Sequence, residues 1–261
     1  MRPWQAACAF YGQYLKALMA FRWDFFLGVT GTVFSQVLNV VMISAIFARI
    51  PHLQGWRYEE ILFIYGFSQL PLCLFYVFGS SLSGLNHLIL DGHLDKFLIR
   101  PVSPLVQIMA QELNYQQFSG VITSIVILVY AGGRLGTTWS WWQGPVAVAF
   151  VAGGFLIFLG LTLLFGSITF WFHERTGLAW LVLSAADFAQ YPVTLYGRPI
   201  RFFVTWVLPF AFTAFYPATL LLGIQGFAVY AWLTPLVGLA CLGVGYAVWG
   251  QGLRVYASTG S

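Results

Sequence analysis

Few residues in this 261-residue chain have the type and spacing for chemistry, and their arrangement excludes most enzymatic reactions. The two lysines are Lys16, which is followed by Ala17, and Lys96, which is followed by Phe97. A nucleotide-binding P-loop requires Gly-x-x-x-x-Gly-Lys-Ser/Thr, because its lysine reaches the phosphates. Neither lysine has this context. We therefore predict that the chain is not an enzyme and does not hydrolyse ATP by that route.

No metal site is predicted either. His87 and His93 are six residues apart and fall on different faces of a helix. The three cysteines (Cys8, Cys73 and Cys241) are far apart and lie in apolar stretches. An odd, unclustered set of cysteines provides no disulfide framework and no metal motif, so we interpret them as small packing residues.

Two groups of polar residues are candidates for a pathway or for contacts between helices. Asp187 is the one acid deep inside a candidate membrane span. Such a residue either marks an ion or substrate path or pairs with another helix. The amide-rich segment after Pro104 includes Gln111, Glu112 and Asn114. It either projects into the cytosol as a helix end or lines the inner end of a pathway.

A third group lies in the most polar connection of the chain, between about residues 83 and 104. Asp91, Asp95, Lys96 and Arg100 form a balanced set of charges there. Charge pairs set the register of a contact at modest net affinity, which suits reversible docking on a soluble partner. The alternative is a solvated loop that contacts nothing.

The elements that position these residues are predicted to be membrane-spanning helices. Hydrophobic residues make up 59% of the chain and charged residues 8%, whereas soluble domains average about 25% charged residues. Between Arg201 and Arg254 lie 52 residues without a charge. Because about 20 helical residues cross a hydrocarbon core, this run is long enough for two crossings. We predict an all-α polytopic membrane protein that forms a single transmembrane domain over residues 1–261.

Uncharged runs divide the chain into spans. The third helix begins at about Pro104, and the fifth span is weak because it contains Asp187 and Pro192. Residues 1–21 have one apolar helical face and are predicted to lie on the membrane surface. The predicted spans are residues 25–48, 60–86, 118–131, 145–172, 177–196 and 228–250.

Residues 202–225 allow two interpretations. They form either a seventh full span or, because Pro209 and Pro217 interrupt them, re-entrant helices before a sixth and last span. With six spans and the N-terminus inside, the Lys and Arg count is seven cytoplasmic against five outside, which favours cytoplasmic termini. The 12 basic residues are scattered singly, so lipid head groups and not nucleic acid are the predicted anionic partners.

Two segments resemble bacterial ABC-2-type exporter permeases. In one subgroup, the connection between spans two and three reads, loosely, G-x-L-D-x-x-L-x-R-P-x-S-P-L. The corresponding residues here are Gly92-His93-Leu94-Asp95-Lys96-Phe97-Leu98-Ile99-Arg100-Pro101-Val102-Ser103-Pro104. The C-terminal Gly252-Leu253-Arg254-Val255-Tyr256-Ala257-Ser258 is similar to the ending of the same subgroup. The layout of six spans with an irregular apolar segment before the last also agrees.

The resemblance implies a permease subunit of the cell (inner) membrane that works with a second permease, as a homodimer or heterodimer, and with ABC ATPase subunits. ATP and Mg would then be bound by the ATPase, and this chain would hold no cofactor. Residues 85–100 correspond to the cytoplasmic coupling helix that contacts the ATPase, and residues 202–225 to the re-entrant segment. The coupling residues carried over are Asp91, Gly92, His93, Leu94, Asp95, Lys96 and Arg100.

The leading hypothesis is therefore export driven by ATP hydrolysis in a partner. The alternative is a secondary transporter or channel that works alone, and a membrane scaffold without transport is a third possibility. Stand-alone transporters usually carry several intramembrane charges or broken helices in both halves. Here Asp187 is nearly alone, and only the C-terminal half contains a broken segment. The substrate cannot be inferred from the sequence.

Overall fold

The computed structural model describes residues 22–50, 52–136, 140–172 and 177–256, so the predicted interfacial helix over residues 1–21 lies outside the described residues. Within these ranges the chain is helical, and the one β-type contact is an isolated bridge between Leu53 and Trp56. The α-helices are α1 Arg22–Phe47, α2 Tyr58–Gly79, α3 Leu85–Leu90, α4 Asp95–Leu98, α5 Pro104–Met109, α6 Gln117–Leu135, α7 Gln143–Ser167, α8 Thr169–Phe172, α9 Leu178–Ser184, α10 Arg198–Phe202, α11 Phe215–Leu221 and α12 Ala228–Val255. Short 3-10 segments cover Ser80–Gly84, Ala185–Gln190, Val193–Leu195 and Phe210–Phe212, and a π-helical turn covers Phe203–Val207.

Five helical stretches are long and apolar enough to cross a membrane. They are Trp23–Phe47, Tyr58–Leu90, Gln117–Leu135, Gln143–Phe172 and Ala228–Val255. In hydrocarbon the backbone has no water to bind, and a helix satisfies its own N–H and C=O groups. The prediction of an all-α polytopic membrane protein is confirmed.

Helix α2 forms the centre of the bundle. It begins where the Glu60 carboxylate accepts a hydrogen bond from the Arg57 backbone N–H (2.9 Å), which is half of a capping box. Its side chains Phe63, Phe67 and Phe75 are fully buried. Helices α6 and α7 pack along it. We call the start of α2 the Trp56 end of the molecule, and the opposite end, beyond Gly79, the Asn86 end.

The weak fifth span crosses between these two ends. Gly177 lies beside the Asn86 side chain, whereas Thr194 accepts a hydrogen bond from Trp56 Nε1 (2.8 Å). Between them are seven α-helical residues and six 3-10 residues. Because a 3-10 helix rises faster per residue than an α-helix, this short stretch provides about 22 Å of helix.

The next segment turns back before it crosses. Arg198–Val207 and Phe210–Leu221 are bent by 77° relative to each other. At its start, Arg201 Nη2 donates to the Thr194 carbonyl (3.1 Å). At its end, the Leu221 carbonyl accepts a hydrogen bond from Gln143 Nε2 (3.4 Å). Helix α7 runs parallel to α2, so its first residue, Gln143, lies at the Trp56 end. Both ends of the bent segment are therefore at the Trp56 end.

The last helix runs in the same direction as α7. Helices α7 and α12 pack against each other in parallel, with Gly153 against Gly238 and Gly160 against Gly245. A full crossing by the bent segment would have made them antiparallel. The glycines allow the two backbones to touch, and the neighbour is a helix of the same chain. Among the described residues this direction favours re-entrant helices in residues 202–225 over a seventh span.

The third helix differs from its prediction. Helix α5 begins at Pro104, as expected, but it ends at Met109, and α6 begins only at Gln117. Ile108 is fully buried, and the Asn114 backbone N–H donates to the Val77 carbonyl (3.3 Å). The amide-rich segment therefore packs across the end of α2 and does not continue the helix.

Candidate functional site

A polar cavity of about 660 Å³ lies at mid-height in the bundle. It is lined by α1, α2, the start of α6 and the short crossing, and it is open on one side. Its polar and aromatic lining residues are Thr32, Ser35, Gln36, Asn39, Tyr65, Gln69, Cys73, Tyr76, Gln117, Asp187, Gln190 and Tyr191. Most of these side chains are amides and hydroxyls, which fix the orientation of a ligand by hydrogen bonds.

Helical spacing brings these residues together. On α1, Thr32, Ser35, Gln36 and Asn39 follow the three- and four-residue intervals of one helical face,. On α2, the residues from Tyr65 to Tyr76 repeat at the same intervals. Neither face was predicted from the sequence, because neither contains a charged residue. The signal that could have revealed them is the recurrence of amide and hydroxyl side chains at helical intervals.

Gln36 joins three helices at the wall of the cavity. It is 4% exposed, and its Nε2 donates to the Gly120 carbonyl (3.2 Å) and to Ser124 Oγ (3.4 Å). The Tyr65 hydroxyl donates to the Gln36 backbone carbonyl (3.4 Å). The side-chain Oε1 of Gln36 has no hydrogen-bond partner among the described residues. The donor side of this amide is satisfied, and its acceptor side is not.

Asp187 lies at the cavity within the 3-10 segment Ala185–Gln190. Its Oδ1 accepts a hydrogen bond from Gln190 Nε2 (2.7 Å), three residues along the same segment. Of the two explanations that the sequence left open, pairing with another helix is not seen among the described residues. The carboxylate instead faces the cavity.

The other predicted pathway residues lie elsewhere. Gln111 and Glu112 are exposed and Asn114 is half-buried in the irregular segment before α6. None of the three lines the cavity, whereas Gln117 does. The structure therefore separates Asp187 from the amide-rich group.

The charged connection forms a platform at the Asn86 end. Residues 85–100 are two short helices, α3 and α4, and not the single helix predicted. Between them Gly92 adopts φ +70°, a left-handed conformation that favours glycine. Leu94 and Phe97 are buried, and Gln107 Nε2 donates to the carbonyls of Phe97 (3.0 Å) and Val102 (2.7 Å).

The opposite side of this platform is exposed. Asp91, His93, Lys96 and Arg100 are exposed, and Asp95 is half-buried. Next to them Leu98, Ile99, Val102 and Val106 also expose their side chains. Ile99, for example, is 84% exposed. The platform therefore presents mixed charges and an apolar patch on a buried base.

Comparison with known families decides the class of the protein. The family model described as "ABC-2 family transporter protein" matches residues 33–260. The chain belongs to this ABC-2 family. No curated protein and no solved structure matches it. As an ABC-2 family protein it is an integral membrane permease of ABC-type transport, and the resemblance inferred from the two sequence motifs is confirmed.

The structure of this ABC-2 permease brings the two motifs together. Tyr256, from the C-terminal motif, packs against Phe170 (ring centroids 5.9 Å apart) and lies near Asp95 of the first motif. Burial, together with the Asp95 carboxylate, raises the pKa of Tyr256 to about 12. The end of α12 is thus in contact with the platform. Ala257 and Ser258, the last residues of the motif, lie outside the described residues.

No metal centre accompanies these sites in the part of the ABC-2 permease that the structure describes. No group of three or more His, Cys, Asp or Glu side chains there has the geometry to hold a metal ion. The candidate sites of this permease are therefore the polar cavity and the platform.

Proposed function

We propose that the chain is one of two permease subunits of an ATP-driven exporter and that residues 85–100 receive a separately encoded ABC ATPase. The observation that carries this proposal is the two-sided platform. Buried Leu94 and Phe97 fix it to the bundle, while Asp91, Lys96 and Arg100 are free of the bundle on the exposed side. A water-exposed surface of mixed charge beside apolar side chains suits a protein partner.

Nucleotide chemistry belongs to the partner in this proposal. The sequence has no P-loop, so ATP and Mg bind to the ATPase, and this chain contributes no catalytic residue. The Asn86 end is then cytoplasmic in the cell (inner) membrane. With six crossings both termini lie on that side.

The second permease covers the open side of the polar cavity. Helix α1 is little buried against the rest of the chain, and a groove lined by amides and a carboxylate is costly beside hydrocarbon. A second subunit, identical or different, would enclose the groove and complete a pathway. The contact of Tyr256 with the platform supports a mechanical link from the ATPase to α12.

Reversal of two exposed charges tests the docking role. We expect Asp91→Lys with Arg100→Glu to insert and purify normally, because exposed substitutions usually change stability by about 0.5 kcal/mol or less. Mispaired charges at a docking site cost several kcal/mol of association, so the variant should lose co-purification with the ATPase. Both residues are exposed. Asp95 is not used, because it interacts with Tyr256 and a change there would also alter a contact within the chain.

The matched control is Arg198→Glu, which reverses an exposed charge at the Trp56 end and should leave co-purification unchanged. Normal ATPase recovery by the double variant would refute the docking role. Substrate transport by the purified chain in vesicles without any ATPase would favour the stand-alone transporter instead.

A further inference from the structure

We propose that the polar cavity binds a cationic group with N–H donors, an ammonium or a guanidinium, and that Asp187 is its counter-charge. This inference rests on the proposed role of the cavity as a pathway and specifies the class of molecule that it accepts. Three independent features of the lining support it.

The first feature is an uncompensated negative charge. Asp187 is the one charged residue in the lining, and no Lys, Arg or His joins it in the described part of the chain. Gln190 supplies a neutral hydrogen bond to one carboxylate oxygen. A carboxylate at membrane depth is costly without an opposite charge. A bound cation offsets this cost, whereas an anion increases it.

The second feature is a hydrogen-bond acceptor without a donor, the side-chain oxygen of Gln36. Gln36 is buried, its Nε2 is fully engaged with Gly120 and Ser124, and its Oε1 has no partner among the described residues. Buried polar atoms of proteins nearly always have a hydrogen-bond partner, and an exception calls for an explanation. An amide oxygen can only accept, so a ligand N–H is a suitable partner; because Oε1 itself is buried, a neighbouring side chain must move for the ligand to reach it.

The third feature is aromatic. Tyr65, Tyr76 and Tyr191 line the same cavity as Asp187. The faces of aromatic rings attract ammonium and guanidinium groups, and several rings around one cation form an aromatic cage. A neutral polar ligand would use the amides but would gain little from Asp187 and the rings.

A matched pair of probes tests the charge requirement. The purified full-length chain is placed in nanodiscs of phosphatidylcholine, which has no net charge and no N–H donor, and fluorescence measures the binding of a dansyl-labelled primary alkylamine and of its uncharged N-acetyl derivative. We expect the amine to bind more tightly by about tenfold or more, because N-acetylation removes the positive charge that faces Asp187 and two of the three N–H donors. Equal affinity, or binding of neither probe, would overturn the proposal.

Variants identify the counter-charge. Asp187→Asn should remove the preference for the amine, and Asp187→Glu, which keeps the charge, should retain it. Gln36→Leu should weaken binding of the amine. Asp24→Asn, which removes an exposed acid outside the cavity, should change nothing. If Asp187→Asn does not fold, the proposal is tested by comparing Asp187→Glu and Gln36→Leu with the native chain: Asp187→Glu should keep the preference for the amine, and Gln36→Leu should weaken its binding. A preference that survives Asp187→Asn would overturn the proposal.

A further arm separates two sources of the ammonium group. Phosphatidylethanolamine added to the nanodiscs competes with the probe if the natural ligand is a lipid head group, and does not compete if it is a soluble amine. All of these measurements use the isolated chain without ATPase. They can therefore succeed even if residues 85–100 prove not to dock an ATPase, and they can fail even if docking is confirmed.

Discussion

At the scale of single residues, one hydrogen bond fixes the end of the short crossing. Trp56 Nε1 donates to Thr194 Oγ1 (2.8 Å), and Trp56 is 8% exposed. We expect Trp56→Phe to lower the free energy of unfolding in detergent by about 1 kcal/mol, because a phenyl ring keeps the aromatic packing but loses the donor. Trp141→Phe, at a tryptophan that is 89% exposed, is the control. Equal effects of the two changes would contradict a role for this bond.

Single residues also show what the sequence could predict. Asp187 was identifiable because a lone acid in an apolar run is conspicuous. Gln36, Asn39 and Gln69 were not identified, since uncharged amides are common in loops and at helix ends. Only their spacing along a span indicates a shared face. The unpaired Oε1 of Gln36 depends on contacts with α6 and could not be inferred from the sequence.

At the scale of elements, the contact between α7 and α12 depends on glycine. A Cβ atom added at Gly245 would collide with the Gly160 backbone, whereas nothing lies near Gly243. We expect Gly245→Val to destabilise the chain by about 2 kcal/mol or more, measured by thermal unfolding in detergent. Gly243→Val introduces the same side chain on the same helix and should have little effect. The idea of a close backbone contact would be wrong if both variants unfolded alike.

The elements themselves were predictable in proportion to their length. Long uncharged runs predicted α1, α7 and α12 to within about five residues at each end. The second span was predicted to end at residue 86, whereas α2 ends at Gly79 and a 3-10 segment follows it. The break before α6 and the division of residues 85–100 into two helices were not predicted. Both depend on how short segments pack on the bundle through buried side chains such as Ile108 and Phe97. The resemblance to a family assigned residues 85–100 a role but not this shape.

At the scale of the whole molecule, the number of crossings fixes which surfaces lie on the same side of the membrane. Arg198 and Gln225 are exposed and lie at the start and just beyond the end of the bent segment. We expect Arg198→Cys and Gln225→Cys both to react with a membrane-impermeant maleimide in intact cells. Ser103→Cys, exposed beside the platform, should react only after permeabilisation. The native cysteines are replaced by serine in all three proteins.

The labelling pattern separates three topologies. Labelling of Arg198→Cys and Gln225→Cys on opposite sides would restore a seventh span. If only Ser103→Cys is labelled in intact cells, the chain has the opposite orientation in the membrane. The sequence could not choose between six and seven spans from charge alone, because residues 202–225 carry none. The parallel contact of α7 with α12 favours six, and the labelling tests it.

The short crossing also has a consequence for the surrounding lipid. Its helical part is about 22 Å long, against a hydrocarbon core of about 30 Å, and Trp180 and Phe188 on its surface are exposed. A helix shorter than the hydrocarbon thickness makes the bilayer thin locally, at a cost that rises with each ångström of mismatch. Acyl-chain length therefore acts on this one segment more than on the long helices beside it. Because Asp187 and Gln190 lie in that segment, bilayer thickness becomes a variable that acts directly on one wall of the cavity.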